Sequence, residues 1–149
     1  MDSVMPEVDA ESAARLRRVV VRLARTLNGS AAAEGLTPTQ ASVLATIGFR
    51  GPLQPAALAD VEEVNPTMIS RIVSKLDDQG LIRRLPHPDD QRAVLVEATT
   101  AGQETSARIR QARTEVVTGL LHNLSPTYAR AVLDALPALE AMAGLGSDT

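Results

Sequence analysis

Apolar residues recur at three- and four-residue intervals along most of this chain, and proline or glycine marks nearly every interruption. Ala13, Leu16, Val20, Leu23 and Leu27 keep the helical repeat, while Arg15, Arg18, Arg22 and Arg25 take positions between them. The pattern predicts a first helix over 11–27, ended by Asn28-Gly29-Ser30 with glycine in the favoured C-terminal place. Thr37-Pro38-Thr39-Gln40 predicts the next start: threonine caps, proline has its φ preset for the first helical position, and Gln stands three residues past the cap. That helix carries Ala41, Val43, Leu44 and Ile47 and stops before Arg50-Gly51-Pro52. A short third helix, about 55–62, bears Leu58, Ala59 and Glu62.

Asn65-Pro66 opens a fourth helix by the same logic. Ile69, Ile72, Val73 and Leu76 form one narrow buried stripe, and Gln79-Gly80 ends it. The period then changes. Residues 81–85 and 93–98 have strand character, and the loop between them, Pro86-His87-Pro88-Asp89-Asp90, is rich in turn formers. Thr99 or Thr100 caps a long helix to about 123, with Ile109, Ala112, Val116, Leu120 and Leu124 on its apolar face. Ser125-Pro126 starts a last helix with a stripe of Tyr128, Val132, Leu136, Leu139 and Met142. Pro137 falls inside it and should kink it about one turn earlier, because proline removes a backbone donor. Gly144–Thr149 should fray. Helix, turn, helix, strand, loop, strand is the layout of a winged helix-turn-helix. The expected fold is mainly α, with α+β character in the wing.

Composition narrows the chemistry. The 149 residues suit one domain with a modest core. Phe49 and Tyr128 are the only aromatic residues, so the core must be built from Leu, Val, Ile and Ala, with Phe49 expected to pack into it. Without cysteine there are no disulfides, thiolate ligands or cysteine redox sensors. The N-terminus is acidic and lacks the apolar run of a secretory signal, and no stretch reaches the ~18 apolar residues of a membrane span. A cytoplasmic protein that does not engage the membrane is expected. G-x-S-x-G, H-E-x-x-H and P-loop motifs are absent, and His87 and His122 have no evident metal partners. Neither an enzyme nor a metal or cofactor site is therefore expected.

The net charge of −3 argues against a wholesale nucleic-acid coat, but the field that counts is the one near the binding surface, because salt screens charges beyond ~8–10 Å. Residues 65–92 hold Arg71, Lys75, Arg83, Arg84 and Arg92 against Asp77, Asp78, Asp89 and Asp90. With Ile69 at the centre of the buried face of the fourth helix, Thr67, Arg71 and Ser74 point the other way, flanked by Ser70 and Lys75, the only lysine. Hydroxyls can bond phosphates or base edges, and Arg can grip guanine bidentately. A surface helix of this kind usually does nothing by itself; its setting between a helix-turn-helix and a wing gives the polar face a use. Asp78 lies at the far end of that face. Thr37, Thr39 and Gln40 stand at a helix N-terminus, where capping is the simpler role than phosphate binding. Arg83 and Arg84 face opposite ways on a strand, so at most one reaches a phosphate well.

From Arg15 to Met142 the chain resembles the MarR family of bacterial transcription regulators, most sharply in ALADVEEVNPTMISRIVSKLDDQGLIRR (57–84) and HPDDQRAVLVEATTAG (87–102). The resemblance implies that Asp90 and Arg92 match the family's Asp-x-Arg wing motif, in which the arginine reaches a minor groove or the backbone and the aspartate orients it. A narrow minor groove attracts Arg through its enhanced negative potential. Taken alone, Asp90-x-Arg92 would be a solvated ion pair. Glu63 stands where the family usually has glycine, Gln91 where a further arginine is common, His87 where aspartate is common, and Ala98-Thr99 replaces Leu-Thr.

The expected DNA-binding set is Thr67, Ser70, Arg71, Ser74, Lys75, Arg84, Asp90 and Arg92. Family members intertwine both chain ends, and the terminal helices here have apolar faces that one chain of this size cannot cover. The expected organisation is therefore 1–30 and 100–149 as a dimerisation region around a DNA-binding domain at 31–99. Such a homodimer would read double-stranded DNA as a near-palindrome with half-sites ~10 bp apart. The family also implies small aromatic or phenolic acids as ligands that release DNA, with Phe49, Arg18 and Arg22 as candidate lining. The arginines read more simply as a solvated face. The competing reading is a winged helix used for protein–protein contact without sequence-specific DNA reading.

Overall fold

Seven helices and a two-stranded antiparallel sheet make up the computed structural model, which describes residues 4–146. In chain order they are α1 (Ala10–Ala33), α2 (Pro38–Arg50), α3 (Pro55–Glu62), α4 (Pro66–Asp78), β1 (Ile82–Pro86), β2 (Val94–Ala98), α5 (Thr100–His122), α6 (Pro126–Asp134) and α7 (Leu136–Met142). The chain divides into two compact units, Met1–Ala112 and Arg113–Thr149, a division set by packing rather than by the functional segments expected at residues 30 and 99. No helix among the described residues is long and apolar enough to cross a membrane.

The first unit is built on one core: Ala31, Leu36, Ala41, Val43, Leu44, Ile47, Leu58, Ala59, Ile69, Ile72, Val73, Leu76, Ile82, Val96 and Ile109. It contains no aromatic ring. Each fully buried Leu or Ile contributes about 1.5–3 kcal/mol, so the four apolar residues of α4 alone fix that helix firmly. Phe49 is not in this core; it is 92% exposed. Two residues past buried Ile47, it lies some 200° around the helix and faces away.

Local signals decide most helix ends. Asp9 caps α1 through Ser12 at 2.7 Å, and that backbone bond holds its carboxyl below the usual range. Thr37 and Gln40 form a reciprocal capping box at 3.0 and 3.1 Å, so capping is their structural role. Helix α1 passes straight through Asn28-Gly29-Ser30 and ends six residues beyond the expected Leu27. Leu36 N–H bonds the Ala31 carbonyl and Gly35 N–H that of Ala32, each at 3.0 Å, with Gly35 at φ 73°. Buried Ala31 and Leu36 give this later stop its hydrophobic contact. The same closure ends α4: Leu81 N–H bonds the Leu76 carbonyl and Gly80 N–H that of Asp77, each at 2.9 Å. Leu81 is thereby spent on the helix, and β1 begins one residue later than the sequence suggested. Strand β2 likewise begins at Val94 rather than Ala93.

Strands β1 and β2 pair from Ile82↔Ala98 to Pro86↔Val94, and Leu53 adds an isolated bridge to Val96. Arg108 forks onto Glu34 through Nε at 2.9 Å and Nη2 at 3.1 Å, tying α5 to the end of α1. This pairing holds the Glu34 carboxyl below and the Arg108 guanidinium above their ordinary pKa ranges. In the second unit α6 and α7 are separate helices, broken at Ala135 just before Pro137, so the expected kink is a full break. The expected fraying at the C-terminus falls partly on residues 147–149, which lie outside the described range.

Glu63, the residue between α3 and Asn65's turn, has φ 53° and ψ 40°, the only non-glycine residue at positive φ among those described. A left-handed conformation costs an L-residue roughly 1–2 kcal/mol, and glycine avoids it. Glu63→Gly is expected to raise the unfolding free energy by about 0.5–1 kcal/mol, after allowing for glycine's larger unfolded-state entropy. Chemical denaturation at fixed m-value checks this; a lower midpoint would show that the Glu63 side chain stabilises the turn.

Candidate nucleic-acid interface

Helix α4 presents its polar face because its apolar stripe is fully committed to the core. Ile69, Ile72, Val73 and Leu76 are buried, and Thr67, Ser70, Arg71, Ser74 and Lys75 are all exposed on the other side. The start is fixed by Asn65, whose Oδ1 accepts the Met68 N–H at 2.8 Å, and by Pro66. Neither Arg71 nor Lys75 has a hydrogen-bond or ion-pair partner among the described residues. The supporting helix α3 is pinned to α2 by Glu62, whose carboxylate accepts the hydroxyls of Ser42 and Thr46. Sequence reading placed Glu62 in α3 without a partner; two hydroxyls one helical turn apart on α2 were the available signal.

The two strand arginines do face opposite ways. Arg83 pairs with Glu97 across the sheet. Arg84 turns to α4, where Nη2 donates to Ser74 Oγ at 3.2 Å and Nε lies 3.5 Å from Asp77 Oδ2. Ser74 and Arg84 are thus brought together, half-exposed, along a groove of about 340 Å³ lined by Pro55, Ser70, Val73, Ser74, Arg84, Val94 and Val96. Asp77, which the sequence reading counted only as a local negative charge, helps to orient Arg84.

In the wing loop Asp90 and Arg92 are both exposed. They do not form the side-chain ion pair that a pair of isolated surface charges suggests. Asp90 Oδ1 instead accepts the backbone N–H of Arg92 at 2.9 Å, and the Arg92 guanidinium has no partner among the described residues. The aspartate therefore shapes the backbone and leaves the cation available. His87 Nδ1 accepts the N–H groups of Asp89 and Asp90 at 3.1 and 3.2 Å, a role no spacing argument reveals. Chemically, the surface offers hydroxyls and three uncompensated cations to an anionic, hydrogen-bonding partner. No group of three or more His, Asp or Glu among the described residues is placed to hold a metal ion.

Comparison with known proteins gives one consistent result. The model of the MarR family matches residues 36–94. An HTH-type transcriptional regulator of Mycobacterium bovis is 37% identical over 111 residues, covering 74% of this chain and 78% of its own. Wild-type MarR of E. coli superposes with a TM-score of 0.72 at 26% identity, over 89% of this chain and 96% of that one. An S. aureus MepR mutant, solved bound to an oligodeoxyribonucleotide, shares the fold with a TM-score of 0.70 at 16% identity, over 91% of this chain and 99% of that one.

Proposed function

The chain belongs to the MarR family of winged helix-turn-helix transcriptional regulators, and on that premise we propose that it is a cytoplasmic repressor. In this reading it binds double-stranded DNA as a homodimer and is released by a small aromatic or phenolic ligand. The observation that carries the DNA reading is the exposed face of α4, with Arg71 and Lys75 uncompensated beside Thr67, Ser70 and Ser74. That helix reads base edges in a major groove, and Arg92 of the wing takes a minor groove or the backbone, with Asp90 holding its main chain. Arg84 supports the helix through Ser74 and Asp77 and presents its remaining donors to phosphate.

Exposed apolar faces support the dimer. Leu16, Val19, Val20 and Leu23 of α1 are exposed, as are Leu120 of α5 and Val132, Leu136 and Leu139 of α6 and α7. Apolar faces left open on helices of each unit suit a protein–protein interface, and a second copy is the natural cover. In this reading 1–30 and 100–149 form the dimerisation region around the DNA-binding domain at 31–99. For the ligand, Phe49 edges a hollow of about 540 Å³ lined also by Ala45, Gly48, Gln103, Ser106 and Arg110, which suits an aromatic acid.

The test is salt-dependent binding to the DNA upstream of the protein's own reading frame. Affinity should fall linearly in log salt as counterions are released, and Arg92→Ala should flatten the slope by roughly one unit. Absence of binding to any promoter fragment at low salt would defeat the regulator reading. An unchanged slope in Arg92→Ala would show that the wing stays off the DNA.

A further inference from the structure

The tip of the wing hangs from one imidazole nitrogen. His87 directly follows β1, and its Nδ1 accepts two backbone N–H groups, from Asp89 at 3.1 Å and Asp90 at 3.2 Å. The rest of the loop builds on that anchor. Asp90 Oδ1 accepts the Arg92 N–H at 2.9 Å, the Asp90 carbonyl accepts the Ala93 N–H at 3.1 Å, and His87 N–H donates to the Ala93 carbonyl at 3.3 Å. A neutral imidazole has one acceptor nitrogen, and a protonated one has none. Two backbone donors aimed at Nδ1 require the proton to sit on Nε2. Adding a second proton would set an N–H against two N–H groups.

We propose that His87 is a positioning residue of the wing, holding Asp90 and Arg92 in their DNA-contacting arrangement only while its imidazole is neutral. The proposal rests on the reading that Arg92 reaches DNA. Protonation leaves the ring no acceptor for these two N–H groups, so the anchor exists only on the neutral imidazole. The charged residues of the loop that carries the ring are Asp89, Asp90 and Arg92; the strand ends flanking it, Leu85-Pro86 and Ala93-Val94, carry none. A protonated ring attracts the Asp89 and Asp90 carboxylates. That draws Asp90 away from the Arg92 N–H and offsets the positive charge the ring would otherwise offer to phosphate. The two links fail together, and the wing loses its grip as pH falls.

Asparagine supplies an acceptor oxygen at the same reach as Nδ1 and does not titrate, while alanine supplies none. The probe is a duplex that the protein itself selects from a random pool, with binding followed by anisotropy at about pH 8 and about pH 5.5. At the higher pH wild type and His87→Asn should bind alike, and His87→Ala about 10-fold more weakly, the scale of one lost charge-assisted contact. At the lower pH wild type should fall to the level of His87→Ala, while His87→Asn keeps its advantage. Without DNA, the amide signals of Asp89, Asp90 and Arg92 should move together with the ring's titration in wild type and stay still in His87→Asn. A constant ratio of wild type to His87→Asn across pH overturns the proposal, as does an undiminished His87→Ala, or amides that ignore the ring. Arg92→Ala, measured alongside, separates the failures. If it binds as wild type, the wing reading falls and this proposal with it; if it weakens while His87→Asn tracks wild type at both pH values, this proposal alone falls.

Discussion

Gly102→Ala is expected to destabilise the protein by about 3 kcal/mol and lower its melting temperature by roughly 6–12 °C. Gly102 lies buried in the first turn of α5, and its backbone is ordinary helix, so conformation alone would allow alanine. Space does not. A Cβ at Gly102 would overlap the carbonyl oxygen of Leu81 and come within 3.3 Å of Leu44 Cδ1. The obstacle is main chain already held on every side. The Leu81 carbonyl accepts the Thr99 N–H at 3.0 Å, and Leu81 N–H closes the end of α4. The Thr99 hydroxyl donates to the Gly80 carbonyl at 2.6 Å and accepts the Gly102 N–H at 3.1 Å. Relief therefore means breaking the junction between α4 and α5. That exceeds the ~1 kcal/mol alanine gains in helix propensity. Thermal unfolding followed by circular dichroism checks it, and an unchanged or raised midpoint would show that the junction yields cheaply.

Arg71→Ala is expected to weaken operator binding by about 1–3 kcal/mol, roughly 5- to 150-fold, with relaxed preference at one base position. The magnitude follows from the free state of the side chain. Arg71 is exposed and has no partner to give up among the described residues, so its hydrogen-bonding fork is available to a base. Removing it leaves no buried group unsatisfied, so stability should hardly move. Selection of binding sequences by wild type and variant supplies the readout. A uniform loss across sequences would make Arg71 a phosphate contact, and no loss would take α4 out of the groove.

What could be read in advance follows a physical line. Helix α4 was legible end to end because its signals are local: Asn65 caps, Pro66 starts, four apolar residues keep register and Gly80 accepts positive φ. The order of helices and strands was legible for the same reason. The end of α1 was not, because the weak break at Asn28-Gly29-Ser30 competes with burial of Ala31 and Leu36, which only the assembled core supplies. Phe49 was misplaced because hydrophobicity says what a residue favours, while helical phase set by Leu44 and Ile47 says where it points. At the interface, the helix face could be drawn from the wheel alone. The engagement of Arg84 by Ser74 and Asp77, and of the Arg92 backbone by Asp90, could not. Those contacts depend on loop dihedrals and strand register, which no periodicity encodes.

A core without rings also decides how this molecule can be watched. Its two aromatic side chains, Phe49 and Tyr128, are both exposed, and tryptophan is absent. Near-ultraviolet absorption, circular dichroism and intrinsic fluorescence therefore say almost nothing about whether the interior is packed. They report instead on the outer surface of α2 and α6. A tyrosine signal that changes with protein concentration marks assembly, and one that holds steady through partial unfolding is no sign of an intact fold.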